Sequence, residues 1–332
     1  MGGQDRGEEV TVGLPPVVWF VARRLLALVL TLLVTSFVVF ASLHIVPGDP
    51  ISFLLRGRSP SPEVIAQINA QYGLDQPFLT QYLEWLGNAI HGDFGRSIQY
   101  RDSVSTLISS RLPTTFGLVL LSALIIGLVG LGAGILGALT AGNTADKAVL
   151  VTMTVLAAIP PFAAAILLIS VFAVRLGYFP AFGAGEGFLN GLHHLALPAL
   201  ALSLTFIALV ARVTRASMLD ELGREHVEVA FSRGIGKATV IRRHVLRNAT
   251  GPILTISGLL VAGLLVSSVV VESAFGLNGV GSLLVQSVDK LDFPIVQALV
   301  LLIVTAFVFV NFVVDLVYPL IDPRAAAGEA AR

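Results

Sequence analysis

Residues 114–141, TTFGLVLLSALIIGLVGLGAGILGALTA, contain no charged side chain in 28 consecutive positions. A helix needs about 20 apolar residues to cross a hydrocarbon core of about 30 Å, so this stretch is long enough to span a membrane. It does not alternate polar and apolar side chains, as a strand of a membrane barrel does. Five further charge-free stretches follow the same rule: 25–46, 148–174, 195–211, 251–271 and 294–314. The sequence therefore predicts an all-α integral membrane protein with a bundle of six transmembrane helices.

The composition agrees with a membrane protein and excludes other classes. Of 332 residues, 55% are hydrophobic and 13% are charged, whereas a soluble protein carries about 25% charged residues. The 21 basic and 21 acidic residues cancel, and no basic face recurs, which excludes a nucleic-acid-binding protein. Because the chain has no cysteine, it has no disulfide framework and no thiolate metal site.

Basic residues near the ends of the spans predict the orientation, because cytoplasmic loops carry an excess of Lys and Arg. With the N-terminus inside, fourteen basic residues face the cytoplasm and seven face outward. Residues 1–24 and 320–332 are therefore predicted to be cytoplasmic tails. The apolar run 25–46 is longer than a signal-peptide core of about 7–15 residues, so we expect it to remain as the first helix.

The connection 47–113 lies outside in this orientation and is too long to be a simple turn. We predict a helix between 61 and 73, which begins with a capping pattern and ends at a glycine. Residues 76–90 have helical periodicity, with one apolar face formed by Phe78, Tyr82, Trp85, Leu86 and Ala89. This small helical insertion either covers the bundle or binds an external partner, and both interpretations remain open.

The connection 212–250 lies inside and contains a short helical segment that Gly234 ends. Val227, Ala230 and Phe231 recur at positions i, i+3 and i+4, so we expect them to form one exposed apolar face. Such a face, flanked by charges, suits a groove on a soluble partner. A helix that lies on anionic lipid has the same pattern, so the residues alone leave two interpretations.

Two adjacent prolines, Pro160 and Pro161, lie in the middle of the third apolar run, 148–174. Proline removes a backbone donor and clashes with the preceding turn, so this run should be kinked or broken. The break is either tolerated because neighbouring helices satisfy the backbone or shapes a transport pathway.

The sequence shows no catalytic arrangement. It has no glycine-rich phosphate loop, so we expect no ATP site and no bound cofactor. His193 and His194 are adjacent and do not share one helix face, so they do not predict a metal site. The spans also lack the internal acid or histidine that ion-coupled carriers use as a proton relay. We therefore expect the chain not to be an enzyme and the energy for transport to come from a partner.

Short motifs follow one another in a fixed order along nearly the whole chain. They are PGDP at 47–50, YGLDQP at 72–77, GDFGRS at 92–97, RLPTT at 111–115, LPAL at 197–200, VE at 271–272, DFP at 292–294 and DPR at 322–324. In this order the chain resembles the permeases of ATP-binding-cassette (ABC) importers, in the dipeptide/oligopeptide group that includes nickel and glutathione permeases. The resemblance implies the type I ABC importer permease fold: a first helix, a helical extracytoplasmic insertion 47–113 and a five-helix core 114–319.

Residues 225–236 resemble the coupling loop of these permeases, in which a short helix seats in a cleft of the ATPase subunit. The family's Glu-Ala-Ala…Gly pattern matches by spacing at Glu228-Val229-Ala230 and Gly234, while Phe231 stands where the pattern is usually basic. The resemblance thus favours the partner groove over the lipid surface. It implies these coupling residues: Glu225, Val227, Glu228, Val229, Ala230, Phe231 and Gly234.

The resemblance further implies a permease subunit in the bacterial plasma membrane that takes di- or oligopeptides from an extracytoplasmic substrate-binding protein. Its other implied partners are a second homologous permease and one or two cytoplasmic ABC ATPase subunits, which hold ATP and magnesium. Glutathione and nickel are alternative substrates, although no span carries a histidine cluster that favours a metal ion. Two other classes remain from the residues: an ATP-independent carrier or channel, and a scaffold that binds a soluble partner without moving solute.

Overall fold

The computed structural model describes residues 16–45 and 76–321. The predicted helix at 61–73, the PGDP and DPR motifs and most of both tails lie outside the described residues. The helices are α1 (Pro16–Ile45), α2 (Phe78–Ile90), α3 (Val104–Leu139), α4 (Thr144–Ala158), α5 (Pro161–Arg175), α6 (Phe188–Leu222), α7 (Glu225–Ser232), α8 (Lys237–Ala274), α9 (Val280–Asp289) and α10 (Phe293–Ile321).

Five of these helices are long and apolar enough to cross a membrane alone: α1, α3, α6, α8 and α10. Each extends beyond its charge-free run, so α3 begins at Val104 rather than at 114, and α8 at Lys237 rather than at 251. A charge-free run corresponds to the part of a helix that lies in the hydrocarbon core. The helix itself continues into the membrane interface, where charged side chains are solvated. The connection between α6 and α8 is consequently shorter than 212–250.

α4 and α5 are two halves of one broken helix. Their axes differ by 100° at a break between Ala158 and Pro161, which confirms the predicted break at the proline pair. The hydroxyl of Thr205, in α6, donates to the carbonyl oxygen of Ile159 at 3.1 Å. A neighbouring helix thus satisfies a backbone acceptor that the break leaves without its usual helical partner.

α3 and α6 pack side by side and run in the same direction. Gly130 of α3 lies against Val210 of α6, and four residues later Gly134 lies against Thr214. The chain between these parallel helices must therefore return from one end of the bundle to the other. α4 and α5 are each about 22 Å long, and at this bend they join points about 29 Å apart, which matches a core of about 30 Å. They form one span, so the described residues contain the six predicted crossings.

The apolar core lies where α3, α6 and α8 meet. Leu118 of α3, Leu202 of α6 and Leu264 of α8 are almost fully buried there. α1 packs against α10 at the edge of the bundle and exposes much of Leu26 and Val34. This places α6 at the centre of the fold and α1 at its lipid-facing margin.

Two distant motifs meet at the α9 end of the bundle. Asp292, just before α10, accepts the N–H of Gln99 at 3.0 Å, the N–H of Ile98 at 3.3 Å and the hydroxyl of Ser97. The carboxylate is fully buried, and these hydrogen bonds offset the cost of removing its charge from water. They hold the end of the long first connection against α10.

A second buried carboxylate, Glu272, joins three helices at the same end. It accepts the hydroxyl of Thr115 of α3 at 2.7 Å and the N–H of Ser282 of α9 at 3.0 Å. Thr115 in turn accepts the N–H of Val280 at 2.9 Å. Because Glu272 lies near the last turn of α8, this network fixes the hairpin between α8 and α9 on α3.

Candidate functional site

α7 is an eight-residue helix in the connection between α6 and α8. Val227 is fully buried and Ala230 is nearly so, and both pack with Met218 of α6 and with Val240 and Val245 of α8. Complete burial of a valine side chain stabilises by about 2 kcal/mol. α7 is therefore fixed on the ends of two membrane-spanning helices.

This burial corrects the expectation that Val227, Ala230 and Phe231 form one exposed apolar face. Val227 and Ala230 face their own chain, whereas Phe231 is 42% exposed. Side chains at i, i+3 and i+4 spread over about 100° of the helix circumference. Phe231 lies at one edge of this arc, so its ring is only partly covered. The outward surface instead combines acidic and apolar side chains: Glu225, Glu228, Val229 and Phe231.

α7 ends at a glycine turn, as the sequence predicts. Gly234 has φ of +74°, in the left-handed region that glycine adopts without steric cost. The N–H of Ile235 donates to the carbonyl oxygen of Ala230 at 3.2 Å, and the N–H of Gly234 donates to that of Phe231 at 2.9 Å. This pair of bonds is a Schellman cap, which fixes the position of Phe231 relative to the start of α8.

Three side chains converge on the carboxylate of Glu221, in the last turn of α6. It accepts Asn248 Nδ2 at 2.7 Å and pairs with Arg224 Nε at 2.9 Å and His226 Nε2 at 3.2 Å. Arg224 and His226 flank the start of α7, and Asn248 belongs to α8. Although Glu221 is buried, it is therefore well compensated, and it connects α7 to both neighbouring helices.

The variant E221A is expected to loosen α7. It removes the acceptor that Asn248, Arg224 and His226 share, and hydrogen bonds to a charged group contribute about 1.5–3 kcal/mol. Amide hydrogen exchange in α7 should accelerate about tenfold or more, because 1.4 kcal/mol of local stability corresponds to a factor of about ten. The neighbouring acid Asp220 is exposed, so D220A serves as the control and should leave exchange unchanged. Equal exchange in E221A and the wild type would contradict this role.

An open depression of about 430 Å³ lies beside α7. Apolar and charged side chains line it together, so it can receive a mixed surface of another molecule. Its lining residues are Glu225, His226, Val229, Ala230, Arg233, Ile235 and His244.

A partly buried ion pair joins α4 to α6 near the same end of the bundle. Arg215 donates to both carboxylate oxygens of Asp146, at 2.7 and 2.8 Å, a bidentate geometry that fixes orientation as well as distance. The N–H of Gly142 also donates to Asp146 at 3.0 Å. The start of the broken span is therefore held by α6.

The histidines have structural partners. The ring of His193 is hydrogen-bonded to the carbonyl oxygen of Tyr178, and that of His194 to the carbonyl oxygen of Gly183, both at 3.0 Å. Among the described residues, no three metal-ligating side chains lie close enough together to hold a metal ion.

Two family models match most of the chain. Residues 130–327 match the binding-protein-dependent transport system inner membrane component, and residues 17–119 match the N-terminal part of such membrane components. The first match alone covers more than half of the sequence. The chain belongs to the binding-protein-dependent permeases of ABC importers.

The permease is 38% identical over 304 residues to the glutathione transport system permease protein GsiC of Escherichia coli strain K12. The match covers 92% of this chain and 97% of GsiC. GsiC of Shigella flexneri serotype 5b matches with the same identity and coverage. These relatives confirm the resemblance to the peptide, nickel and glutathione group. Since such permease subunits are not ATPases, this chain is not an enzyme.

Solved structures support the fold. The inward-facing MetNI methionine ABC transporter has a TM-score of 0.53 and 18% identity, and the match covers 65% of this permease and 96% of that chain. An amino acid ABC transporter with histidines has a TM-score of 0.53 and 20% identity, with 65% and 94% covered. The permease therefore has the predicted type I ABC importer fold, while the coupling roles of residues 225–236 stay a prediction.

The sequence pattern predicts the position of α7 but does not single out two residues that fix it and its surroundings, Glu221 and Asp146. Glu221 and Asp146 are buried acids, and each has a basic partner. Asp146 is the one acid between two charge-free runs, 114–141 and 148–174, a pattern that could have identified it. Glu221, in contrast, follows a second acid, Asp220, and no comparable signal marks it.

Proposed function

We propose that this permease subunit passes short peptides from a binding protein into the bacterial cytoplasm, with glutathione as the first candidate. The observation that carries the proposal is the 38% identity to a glutathione permease over 97% of that protein. Glutathione is itself a tripeptide, so it lies within the di- and oligopeptide class implied by the sequence motifs.

The proposed complex lies in the bacterial inner membrane. It contains a second homologous permease, one or two ABC ATPases that bind ATP and magnesium, and an external binding protein. This chain binds no cofactor of its own. Both termini and α7 face the cytoplasm, and eight basic residues around α7 support that orientation: Arg212, Arg215, Arg224, Arg233, Lys237, Arg242, Arg243 and Arg247.

α7 is the proposed contact with the ATPase. Its inner side is held by Val227 and Ala230, and its outer side presents Val229 and Phe231 between acidic residues. Apolar side chains flanked by charges suit insertion into a groove of a soluble partner. Closure of the ATPase subunits on ATP would move α7, and Glu221 would pass that movement to α6 and α8. The bundle then shifts from an inward-open to an outward-open population.

Uptake of radiolabelled glutathione tests the substrate. Cells that lack the permease should lose uptake and regain it when the chain is restored, and uptake should stop when ATP is depleted at constant membrane potential. Uptake that survives ATP depletion would indicate an ATP-independent carrier. If cells that lack the permease lose nickel uptake but keep glutathione uptake, nickel would replace glutathione as the proposed substrate.

Affinity purification tests the partners. The tagged permease, extracted in mild detergent, should retain a second six-span permease and an ABC ATPase that mass spectrometry identifies. Recovery of the chain alone or as a homodimer under several mild conditions would contradict the proposed complex. Retention of an ATPase without any solute uptake would favour a scaffold.

A further inference from the structure

We infer that α2 is an interfacial helix, which lies in the membrane leaflet opposite α7 and presents Leu79, Leu83 and Ile90 to lipid acyl chains. In the proposed orientation this is the outer leaflet. The inference rests on three observations: what α2 contacts, how deep that contact lies, and how its side chains are distributed.

α2 packs on α1 through its predicted apolar face. The hydroxyls of Tyr82 and Ser36 are 2.8 Å apart and buried. The rings of Phe78, Tyr82 and Trp85 surround Phe40, with centroids 5.4 to 5.6 Å away. The predicted apolar face of α2 therefore covers part of α1. This agrees with the first interpretation of the insertion, in which it covers the bundle.

This contact lies below the membrane boundary. Arg24 of α1 pairs with Asp315 of α10 at 2.9 Å, and both side chains are more than one third exposed, so the pair marks one surface of the membrane. Along α1, Ser36 lies about 18 Å and Phe40 about 24 Å from Arg24. In a hydrocarbon core of about 30 Å, Phe40 is then about 6 Å inside the opposite boundary. Interfacial helices bury their apolar face by about 5–10 Å, which agrees with this depth.

α2 has a second apolar stripe next to the one that covers α1. Leu79, Leu83 and Ile90 lie on one side of the helix and are 63%, 64% and 75% exposed. Half-buried Leu86 lies between the two stripes. The remaining side carries polar side chains: Thr80, Gln81, Glu84 and Asn88.

Lipid is the occupant that these observations favour. Exposed leucine and isoleucine side chains gain about 25 cal/mol per Å² when they leave water. A soluble binding protein does not reach the depth at which α2 contacts Phe40. The acyl chains reach it, while the polar side of α2 faces the headgroups and water. Tyr82 and Trp85 are also the residue types that are enriched at this depth.

Single cysteines test the inference directly, because the natural chain contains none. L79C, L83C and I90C would each carry a spin label in the permease complex, reconstituted in phospholipid nanodiscs. T80C, E84C and N88C on the same helix are the matched controls. We expect collisions with oxygen, which concentrates in lipid, to exceed collisions with a water-soluble nickel chelate several-fold at the first three positions. The controls should show the reverse preference.

Two results would overturn the inference. Greater access to the nickel chelate at the leucine positions would mean that the stripe faces water or an external protein. Low access to both reagents would mean that a second permease or another part of the chain covers it. A label-free measurement guards against perturbation by the probes: in a W19F variant, lipids brominated on the acyl chains should quench the remaining Trp85. Absence of quenching would also count against the inference.

Discussion

The variant F231D is expected to reduce ATP-driven uptake at least tenfold while the permease reaches the membrane in normal amounts. Phe231 is the exposed ring at the edge of α7, and an unpaired carboxylate buried in an apolar groove costs several kcal/mol. A loss of 1.4 kcal/mol in docking already corresponds to about tenfold. Because Val227 and Ala230 still anchor α7, the helix itself should remain folded. Uptake by proteoliposomes and ATP hydrolysis by the same complex are the measurements, and hydrolysis should no longer respond to loaded binding protein.

T239D is the matched control for this experiment. Thr239 is exposed in the first turn of α8, so the variant adds the same charge close to α7 but outside it. A carboxylate near a helix N-terminus is favourable, and uptake should remain normal. If F231D is expressed at the normal level and takes up substrate normally, α7 is not the coupling helix. If F231D and T239D lost uptake equally, the added charge would be the cause, and not the loss of the contact between the Phe231 ring and the ATPase.

The variant G134A is expected to destabilise the permease strongly. A Cβ atom at this position would lie 2.5 Å from Thr214 Cβ and 2.7 Å from the carbonyl oxygen of Ala211, both in α6. The oxygen belongs to the backbone of a central helix, so α3 and α6 would have to separate. Overpacking of this kind costs about 1–3 kcal/mol, or about 4 °C at the upper end for a chain of this size. Thermal unfolding of the purified permease in detergent measures the change.

G132A provides the control on the same helix. Among the described residues, no atom beyond the chain neighbours and local backbone of its own helix lies within 4 Å of a Cβ placed at Gly132, and alanine is the better helix former. We expect its transition temperature to equal or slightly exceed that of the wild type. If G132A and G134A lost the same stability, the close approach of α3 and α6 would not be the cause.

The features that the sequence predicts correctly are local. Charge-free runs locate the spans because hydrocarbon excludes charges over about 30 Å. The aromatic face of α2, the break at Pro160 and the glycine turn at Gly234 each depend on residues within a few positions of one another. Periodicity and backbone restriction act over that distance, so one sequence is sufficient to identify them.

The features that the sequence misses depend on which helices become neighbours. Ser97 and Asp292 are separated by 195 positions, and nothing local connects them. The apolar residues of α7 show the same limit, because a hydrophobic side chain can pack on its own chain or on a partner. The pattern identifies Val227 and Phe231 as apolar, but only the positions of α6 and α8 decide that Val227 is covered and Phe231 is not.

The broken span of α4 and α5 has a consequence for synthesis of the permease. Each half is about 22 Å long, too short to cross the hydrocarbon core alone. The hydroxyl that satisfies Ile159 at the break arrives 46 residues later, on Thr205, and the partner of Asp146 arrives 69 residues later, on Arg215. The two halves therefore gain these two stabilising contacts only after α6 has left the ribosome. Loss of either partner would act on biogenesis, before the transport cycle begins.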